Sequence, residues 1–202
     1  MKSDVYVFEK GGVSVIKANE EVRKVAGYNG LTHKQELRLD LLAEELLGML
    51  PNLLCYGSGK FWIENKGNEY ELHAAVEIDD VLPTPERDRI LSVSTTGENA
   101  AAKGIMNKIR IAAEIMLANY AQSAATTGMI YTDTPYAFYD MGAFEYPAGY
   151  STMWSLSRYK DEAKEDTEAW DELEKSLIAK LADDVTVGII GSKVEITVKK
   201  KF

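Results

Sequence analysis

The sequence has one cysteine, Cys55, and two histidines, His33 and His73. A single cysteine excludes an intrachain disulfide and any zinc site built from several thiolates. Cys55 follows the apolar stretch Leu-Pro-Asn-Leu-Leu, so we predict a packed, inert thiol. His33 stands just before a helical pattern, and His73 lies among glutamates on the polar face of a predicted strand. We expect surface structural roles for both histidines.

Basic residues and long apolar runs are also scarce. The chain has 23 Lys and Arg against 32 Asp and Glu, which gives a net charge of −9. Nucleic-acid binding draws mainly on Lys and Arg contacts with phosphate, so this charge argues against a nucleic-acid surface. No stretch approaches the roughly 20 apolar residues of a membrane-spanning helix, and the opening MKSDVYVFEKGG lacks the apolar run of a signal peptide. We therefore expect a cytoplasmic protein that binds neither nucleic acid nor a membrane.

Apolar residues make up 46% of the 202 positions, enough to bury the core of one domain over residues 1–202. Residues 4–8 and 13–16 suggest a short hairpin, and residues 19–28 a short helix. Residues 33–54 carry leucines at helical spacing, which predicts a helix with one face toward the core.

Two stretches alternate apolar and polar residues in the manner of half-buried hairpins. Residues 61–63 and 70–78 alternate around the turn 66–68, and residues 185–198 alternate at the end of the chain. Hairpins with helices between them predict an α+β fold. We expect a two-layer α/β sandwich, in which helices cover one face of a mixed, mainly antiparallel sheet.

The segment between these hairpins divides into three parts. Residues 98–118 predict a helix. Residues 119–159 are rich in Tyr, Gly and Met and show no sustained period, which is typical of a lid, a binding surface or a disordered insertion. Residues 160–184 predict a charged helix whose apolar stripe is Trp170, Leu173, Leu177 and Leu181.

Three motifs stand in a distinctive order along the chain. LDLLAEELLGML lies on the leucine helix, VEIDDVLPTPERDRILS ends the first hairpin, and TTGENAAAKGIMNKI follows with its glycines. This order resembles the GHKL-type ATPase domain shared by histidine kinases, type II topoisomerase subunits, ninety-kilodalton heat-shock chaperones and mismatch-repair ATPases. The chain is most similar to the small stand-alone version in bacterial anti-sigma-factor kinases. The resemblance covers most of the chain outside residues 119–159 and implies a Bergerat-like fold.

In that family, a Glu of the first motif acts as base or polarises water, and an Asn one turn later holds magnesium. An acidic residue of the second motif contacts adenine, and backbone amides of the third cradle phosphate, as helix starts can. The resemblance thus implies ATP or ADP as the ligand, with Mg²⁺ as the accompanying metal. The residues it selects are Glu44 and Glu45 for the catalytic role, and Asp79, Asp80, Thr96, Gly97, Lys103 and Gly104 for nucleotide binding.

The sequence departs from the family at the magnesium position. Gly48 and Met49 stand four residues after Glu44 and Glu45, where the family has Asn. We therefore expect weak or absent hydrolysis by a regulatory domain that binds nucleotide. The alternative is a non-catalytic module that keeps the fold, has lost nucleotide binding and contacts a protein partner or a second copy of itself.

Each motif also has a purely structural interpretation. Exposed glutamates are common on helices, and Asp residues often end a strand before a turn because they bond the local backbone. Thr96 would equally cap the helix that it precedes.

Overall fold

The structure is a computed structural model in which groups of helices stand between groups of antiparallel strands, as the α+β prediction requires. None of the helices in the described part of the chain is long and apolar enough to cross a membrane. The described residues are 1–9, 11–50, 56–78, 109, 143–144, 153–165, 167–190 and 193–202.

Seven strands form one sheet in the order β1-β2-β3-β7-β6-β5-β4. Every pair of neighbouring strands among the described residues is antiparallel, so the parallel component of the expected mixed sheet is not seen there. The strands are β1 (Tyr6–Glu9), β2 (Tyr56–Lys66), β3 (Glu69–Ile78), β4 (Ala143–Phe144), β5 (Met153–Ser155), β6 (Asp184–Ile190) and β7 (Lys193–Lys201).

Two long helices follow β1 and precede β2. The Ser14 side chain caps the first of them by accepting a hydrogen bond from the Lys17 amide. At the start of the second, the Gln35 side chain accepts from the Thr32 amide at 2.9 Å, and Pro51 follows soon after its end. The helices are α1 (Val15–Tyr28), α2 (His33–Met49), α3 (Leu156–Glu162), α4 (Thr167–Lys175) and α5 (Leu177–Leu181), with a 3-10 turn at Ala163–Glu165.

One face of the sheet forms the core against the helices, which confirms the two-layer α+β prediction. The alternating side chains of the central strands point to this face and pack on the apolar stripe of α2. Burial of each large apolar side chain contributes roughly 1.5–3 kcal/mol to stability. The buried strand residues include Phe61, Ile63, Leu72, Val76, Val185, Val187, Val194, Ile196 and Val198, and those of α2 are Leu39, Leu42, Ala43, Leu46 and Leu47.

The intervening positions of β2, β3 and β7 point to the opposite side, which we call the polar face. Because successive strand residues alternate between faces, the register fixes which polar side chains become neighbours. Trp62 pairs with His73, and Glu64 pairs with Glu71. The residues of the polar face in these three strands include Lys60, Trp62, Glu64, Glu71, His73, Ala75, Glu77, Glu195, Thr197 and Lys199.

The predicted N-terminal hairpin is wrong. The strand β1 pairs with β2 instead, and residues 13–16 contain the start of α1. The chain turns at Gly11, whose φ of 80° suits glycine, and the Gly12 amide bonds the Glu9 carbonyl at 2.8 Å. The next residue able to cap a helix, Ser14, then begins α1.

The single charged helix predicted for residues 160–184 is also wrong. The chain there forms the end of α3, the 3-10 turn, α4 and α5, and Ser176 caps α5 by accepting a hydrogen bond from the Ala179 amide. Because of this break, the apolar residues of the predicted stripe do not all face the core. Trp170 and Leu177 are 40% and 38% exposed, whereas Leu173 is buried.

The terminal hairpin is confirmed as part of the main sheet, where β7 lies between β3 and β6. The end of the segment 119–159 also belongs to the fold, since it contains β5 and the start of α3. Trp154 of β5 is 1% exposed and packs in the core. Apart from residues 109 and 143–144, the predicted helix 98–118 and the rest of that segment lie outside the described residues.

Candidate functional site

The structure describes two of the residues that the family resemblance selects, Glu44 and Glu45 of α2. Glu44 is exposed, and its Oε1 accepts a hydrogen bond from Nδ2 of Asn19 on α1 at 3.1 Å. Glu45 is half-buried. Asp79, Asp80, Thr96, Gly97, Lys103 and Gly104 lie outside the described residues.

A polar seam joins α1 to α2 beside Glu44. One turn further along α1, the Arg23 guanidinium lies 3.8 Å from the Asp40 carboxylate. Asn19 and Asp40 are both buried, and neither Oδ1 atom has a hydrogen-bond partner among the described residues. Burial raises the pKa of Asp40, although the positive charge of Arg23 opposes this rise.

Only a short stretch of chain separates α2 from β2, whose first residue lies beside the end of β3. The strand β2 begins at Tyr56, which pairs with Ile78, the last residue of β3. The stretch 51–55 between α2 and β2 spans at most roughly 20 Å. Glu44 and Glu45 are about two turns or less from the end of α2, and Asp79 and Asp80 follow Ile78 in the sequence.

Gly48 stands one turn after Glu44, at the position where the resemblance expects a magnesium-binding Asn. It is exposed, and a Cβ atom placed on it would meet no described atom within 4 Å. The described part of the chain therefore leaves space for a side chain at position 48.

A second cluster of chemically active side chains surrounds His73 on the polar face. The Trp62 and His73 rings stack with their centroids 4.8 Å apart and an angle of 2° between their planes. His73 Nδ1 lies 2.8 Å from Oε1 of Glu195 and 3.2 Å from Oγ1 of Thr197. His73 is only 9% exposed, so its predicted surface position is wrong, although it does lie on the polar face.

Two carboxylates lie on the other side of the His73 ring. Glu64 and Glu71 stand directly opposite each other on β2 and β3, an arrangement that is unfavourable for like charges unless cations offset it. Lys2 lies 3.2 Å from Glu64, and Lys66 lies 3.0 Å from Glu71. The carboxylate pair is thus stabilised by lysines that approach it from its edges.

The local field favours the ionised form of Glu64. Burial alone would raise the pKa of Glu64, but hydrogen bonds from Trp62 and Lys2, together with the nearby His73, hold it below its usual value. The Trp62 indole Nε1 donates to Glu64 Oε1 at 2.9 Å, which also fixes the orientation of this carboxylate.

Glu64, Glu71 and His73 each offer one ligand atom, and these three atoms lie within 4.8 Å of one another. A carboxylate–carboxylate–imidazole set is a common ligand combination for divalent metals. This cluster was not predicted from the sequence. The two-residue turn at Gly67 and Asn68 pairs Lys66 with Glu69, and from there it sets Glu64 opposite Glu71 with His73 two residues further on the same face.

Comparison of the chain with protein-family models, with curated proteins and with solved structures found no match.

Proposed function

We propose that the protein is a nucleotide-binding domain of the GHKL type, which binds ATP or ADP with weak or no hydrolysis and acts in regulation. The observation that supports this proposal is that both motifs adjoin the β2–β3 hairpin in the chain. The helix that carries Glu44 and Glu45 ends at Met49, shortly before β2 in the chain, and the first residue of β2, Tyr56, pairs with Ile78, the residue before Asp79. The resemblance places the two ends of the ligand between these motifs.

The order of the elements also supports the proposal. A helix with paired glutamates precedes the β2–β3 hairpin, and the terminal hairpin joins the same sheet beside β3. The resemblance expects this order, and the Bergerat-like arrangement is part of the proposal.

In the proposed site, a carboxylate of Asp79 or Asp80 accepts a hydrogen bond from the adenine amine. The amides around Gly97 and Gly104, together with the Lys103 ammonium, face the phosphates. Glu44 lies at the phosphate end, where Asn19 holds its carboxylate in one orientation. Glu44 would then act as the base that activates water.

The glycine at position 48 explains why hydrolysis would be weak. Without an amide oxygen at this position, α2 offers one ligand fewer to the magnesium ion that accompanies a triphosphate. Triphosphate binding should weaken more than adenine recognition. ADP should therefore bind about as well as ATP, with little dependence on magnesium.

Isothermal titration calorimetry tests the proposal directly. ADP and ATP are titrated into the full chain with and without Mg²⁺, and into a variant with Asp79→Ala and Asp80→Ala together. We expect binding to the parent chain and its loss in the double variant. Glu77→Ala is the matched control, since it removes an exposed carboxylate from the end of the same strand.

Two results would contradict specific parts of the proposal. No heat at millimolar nucleotide would overturn nucleotide binding and leave the module that contacts a protein partner or a second copy of the chain. Binding that survives the double substitution would remove the proposed adenine contact.

A further inference from the structure

We propose that His73, Glu64 and Glu71 bind a single divalent transition-metal ion, with Zn²⁺ as the best match. The site lies on the polar face of the sheet, where the three ligand atoms come from two adjacent strands. It is independent of the proposed nucleotide site, because it uses neither the α2 glutamates nor the residues after β3.

The hydrogen bond at Nδ1 of His73 leaves Nε2 of the same ring available for a metal. Nδ1 lies 2.8 Å from a Glu195 carboxylate oxygen, so in the neutral ring the proton is placed on Nδ1 and is donated to Glu195. Nε2 then carries a lone pair. A carboxylate that orients a histidine through its other nitrogen is the usual outer shell of a metal-binding imidazole.

No hydrogen bond among the described residues involves the Nε2 atom of His73. It is buried without a hydrogen-bond partner in the described part of the chain, whereas most buried polar atoms are paired. It faces the carboxylates, with Oε2 of Glu71 at 3.9 Å. An unpaired acceptor directed at a carboxylate is unfavourable, and a cation between the two removes this cost.

The aromatic stack fixes the ring plane. Trp62 covers one face of the imidazole with an angle of 2° between the ring planes. The same indole donates a hydrogen bond to Glu64 at 2.9 Å. Trp62 therefore positions two of the three ligands, and we class it, with Glu195, as a positioning residue.

The three ligand atoms lie near one another, but they must move closer together to bind one metal ion. Zn²⁺ binds His nitrogen and carboxylate oxygen at about 2.0–2.2 Å, so two ligands of a tetrahedral ion lie about 3.3–3.6 Å apart. The present ligand atoms lie within 4.8 Å of one another. Binding therefore requires the glutamate side chains to bring the more distant ligand atoms closer by on the order of 1 Å, and three protein ligands leave one position of a tetrahedral ion for water.

Charge also favours a divalent ion. Two carboxylates and a neutral imidazole offset the charge of one M²⁺ ion. In the structure Glu64 forms an ion pair with Lys2, and Glu71 forms one with Lys66. The side chains of these two lysines are 52% and 67% exposed. Such exposed ion pairs are worth roughly 0–1 kcal/mol, so a metal should displace these ammoniums readily.

The test uses the full chain after dialysis against a chelator. Zn²⁺ is titrated calorimetrically, and Co²⁺ replaces it in a second titration because its visible absorption reports the ligands. We expect one equivalent to bind, with a change in the fluorescence of Trp62. His73→Gln and Glu71→Gln should each weaken binding by at least about tenfold, and Glu195→Gln by about 10- to 100-fold.

Two further variants keep the test informative if the ligand variants fail to fold. Lys66→Gln frees Glu71 from an ion pair worth up to about 1 kcal/mol, so it should tighten metal binding by about two- to fivefold. Glu77→Gln removes an exposed carboxylate from the same strand and the same face, and it should leave binding unchanged.

Three results would overturn the proposal. The first is the absence of Zn²⁺ and Co²⁺ binding to the parent chain. The second is binding whose affinity and cobalt spectrum are unchanged by His73→Gln and Glu71→Gln, because the metal would then sit elsewhere. The third is binding that Lys66→Gln leaves unchanged or weakens.

Discussion

The Phe8 ring lies directly over Gly59, its partner in the neighbouring strand. A Cβ atom on Gly59 would stand 2.4 Å from two carbons of this ring and 3.2 Å from the Ala75 carbonyl oxygen. Phe8 is 3% exposed and belongs to the core, so its ring cannot swing into solvent without loss of burial. The absence of a side chain at position 59 is therefore a packing requirement between β1, β2 and β3.

We expect Gly59→Ala to destabilise the protein by about 1–3 kcal/mol, the usual cost of overpacking a well-filled core. Urea unfolding followed by circular dichroism measures this change. Gly48→Ala is the matched control, because a methyl group there meets no described atom within 4 Å and alanine is the better helix former. The control should be stabilised by up to about 1 kcal/mol. Equal effects of the two substitutions would contradict the packing role of Gly59.

Gly48→Asn should restore a magnesium ligand one turn after Glu44. If the nucleotide proposal holds, Mg²⁺ should then increase the affinity for ATP more than the affinity for ADP, since only the triphosphate places its last phosphate at this end. Calorimetry with and without Mg²⁺ measures the difference. Gly48→Ala again serves as control, because it adds a side chain without an oxygen. An ATP affinity that Mg²⁺ changes equally in both variants would argue against this position.

Asp40→Asn should stabilise the protein at neutral pH by on the order of 1 kcal/mol, a typical value for one buried polar group. The pKa of Asp40 is raised in the folded state by burial. The folded protein therefore binds this proton more tightly than the unfolded chain, and ionisation of Asp40 costs stability as pH rises through the folded pKa. Arg23, at 3.8 Å, limits the cost.

The gain from Asp40→Asn should shrink as pH falls toward the ordinary aspartate range, because the parent carboxyl is then protonated as well. Thermal melts at several pH values measure this dependence. Glu20→Gln removes one exposed carboxylate from α1 and should show no such pattern. A gain that stays constant from neutral to acidic pH would show that the charge of Asp40 is not its cause.

Deletion of residues 184–202 should abolish cooperative unfolding. The deletion removes β6 and β7, and β7 pairs with β3 from Glu69↔Lys201 to Glu77↔Lys193 in the middle of the sheet. Loss of this strand exposes the apolar faces of its neighbours, at roughly 1.5–3 kcal/mol for each large side chain. Calorimetric melting of the truncated chain tests the prediction. A soluble truncation with a sharp transition would show that the hairpin is dispensable.

Local patterns were enough to predict the elements whose signals lie within a few residues. The alternation in residues 70–78 and the leucine spacing in α2 both follow from burial of one face, and the structure has both elements. The terminal hairpin was predictable for the same reason. The end of α2 was placed too late, at residue 54, although Pro51 is a local signal against continuation.

Features that depend on distant partners were not predictable in this way. His73 is buried because Trp62 stacks on it and Glu195, 122 residues away in sequence, bonds its ring. The first hairpin was predicted wrongly because β1 finds its partner in β2 rather than in the residues after Gly12. The exposure of Leu177 follows from the capping of α5 at Ser176, which interrupts an otherwise continuous helical pattern.

The pairing of β3 with β7 also affects the order in which the molecule assembles. His73 and Thr197, neighbours across these two strands, are 124 residues apart in the chain. A ribosome that adds about 5–20 residues per second therefore takes roughly 6–25 seconds to reach the partner of β3. During that interval the side of β3 that later pairs with β7 lacks this partner. Closure of so long a loop is slow as well, so the central pairing of the sheet should form late in folding.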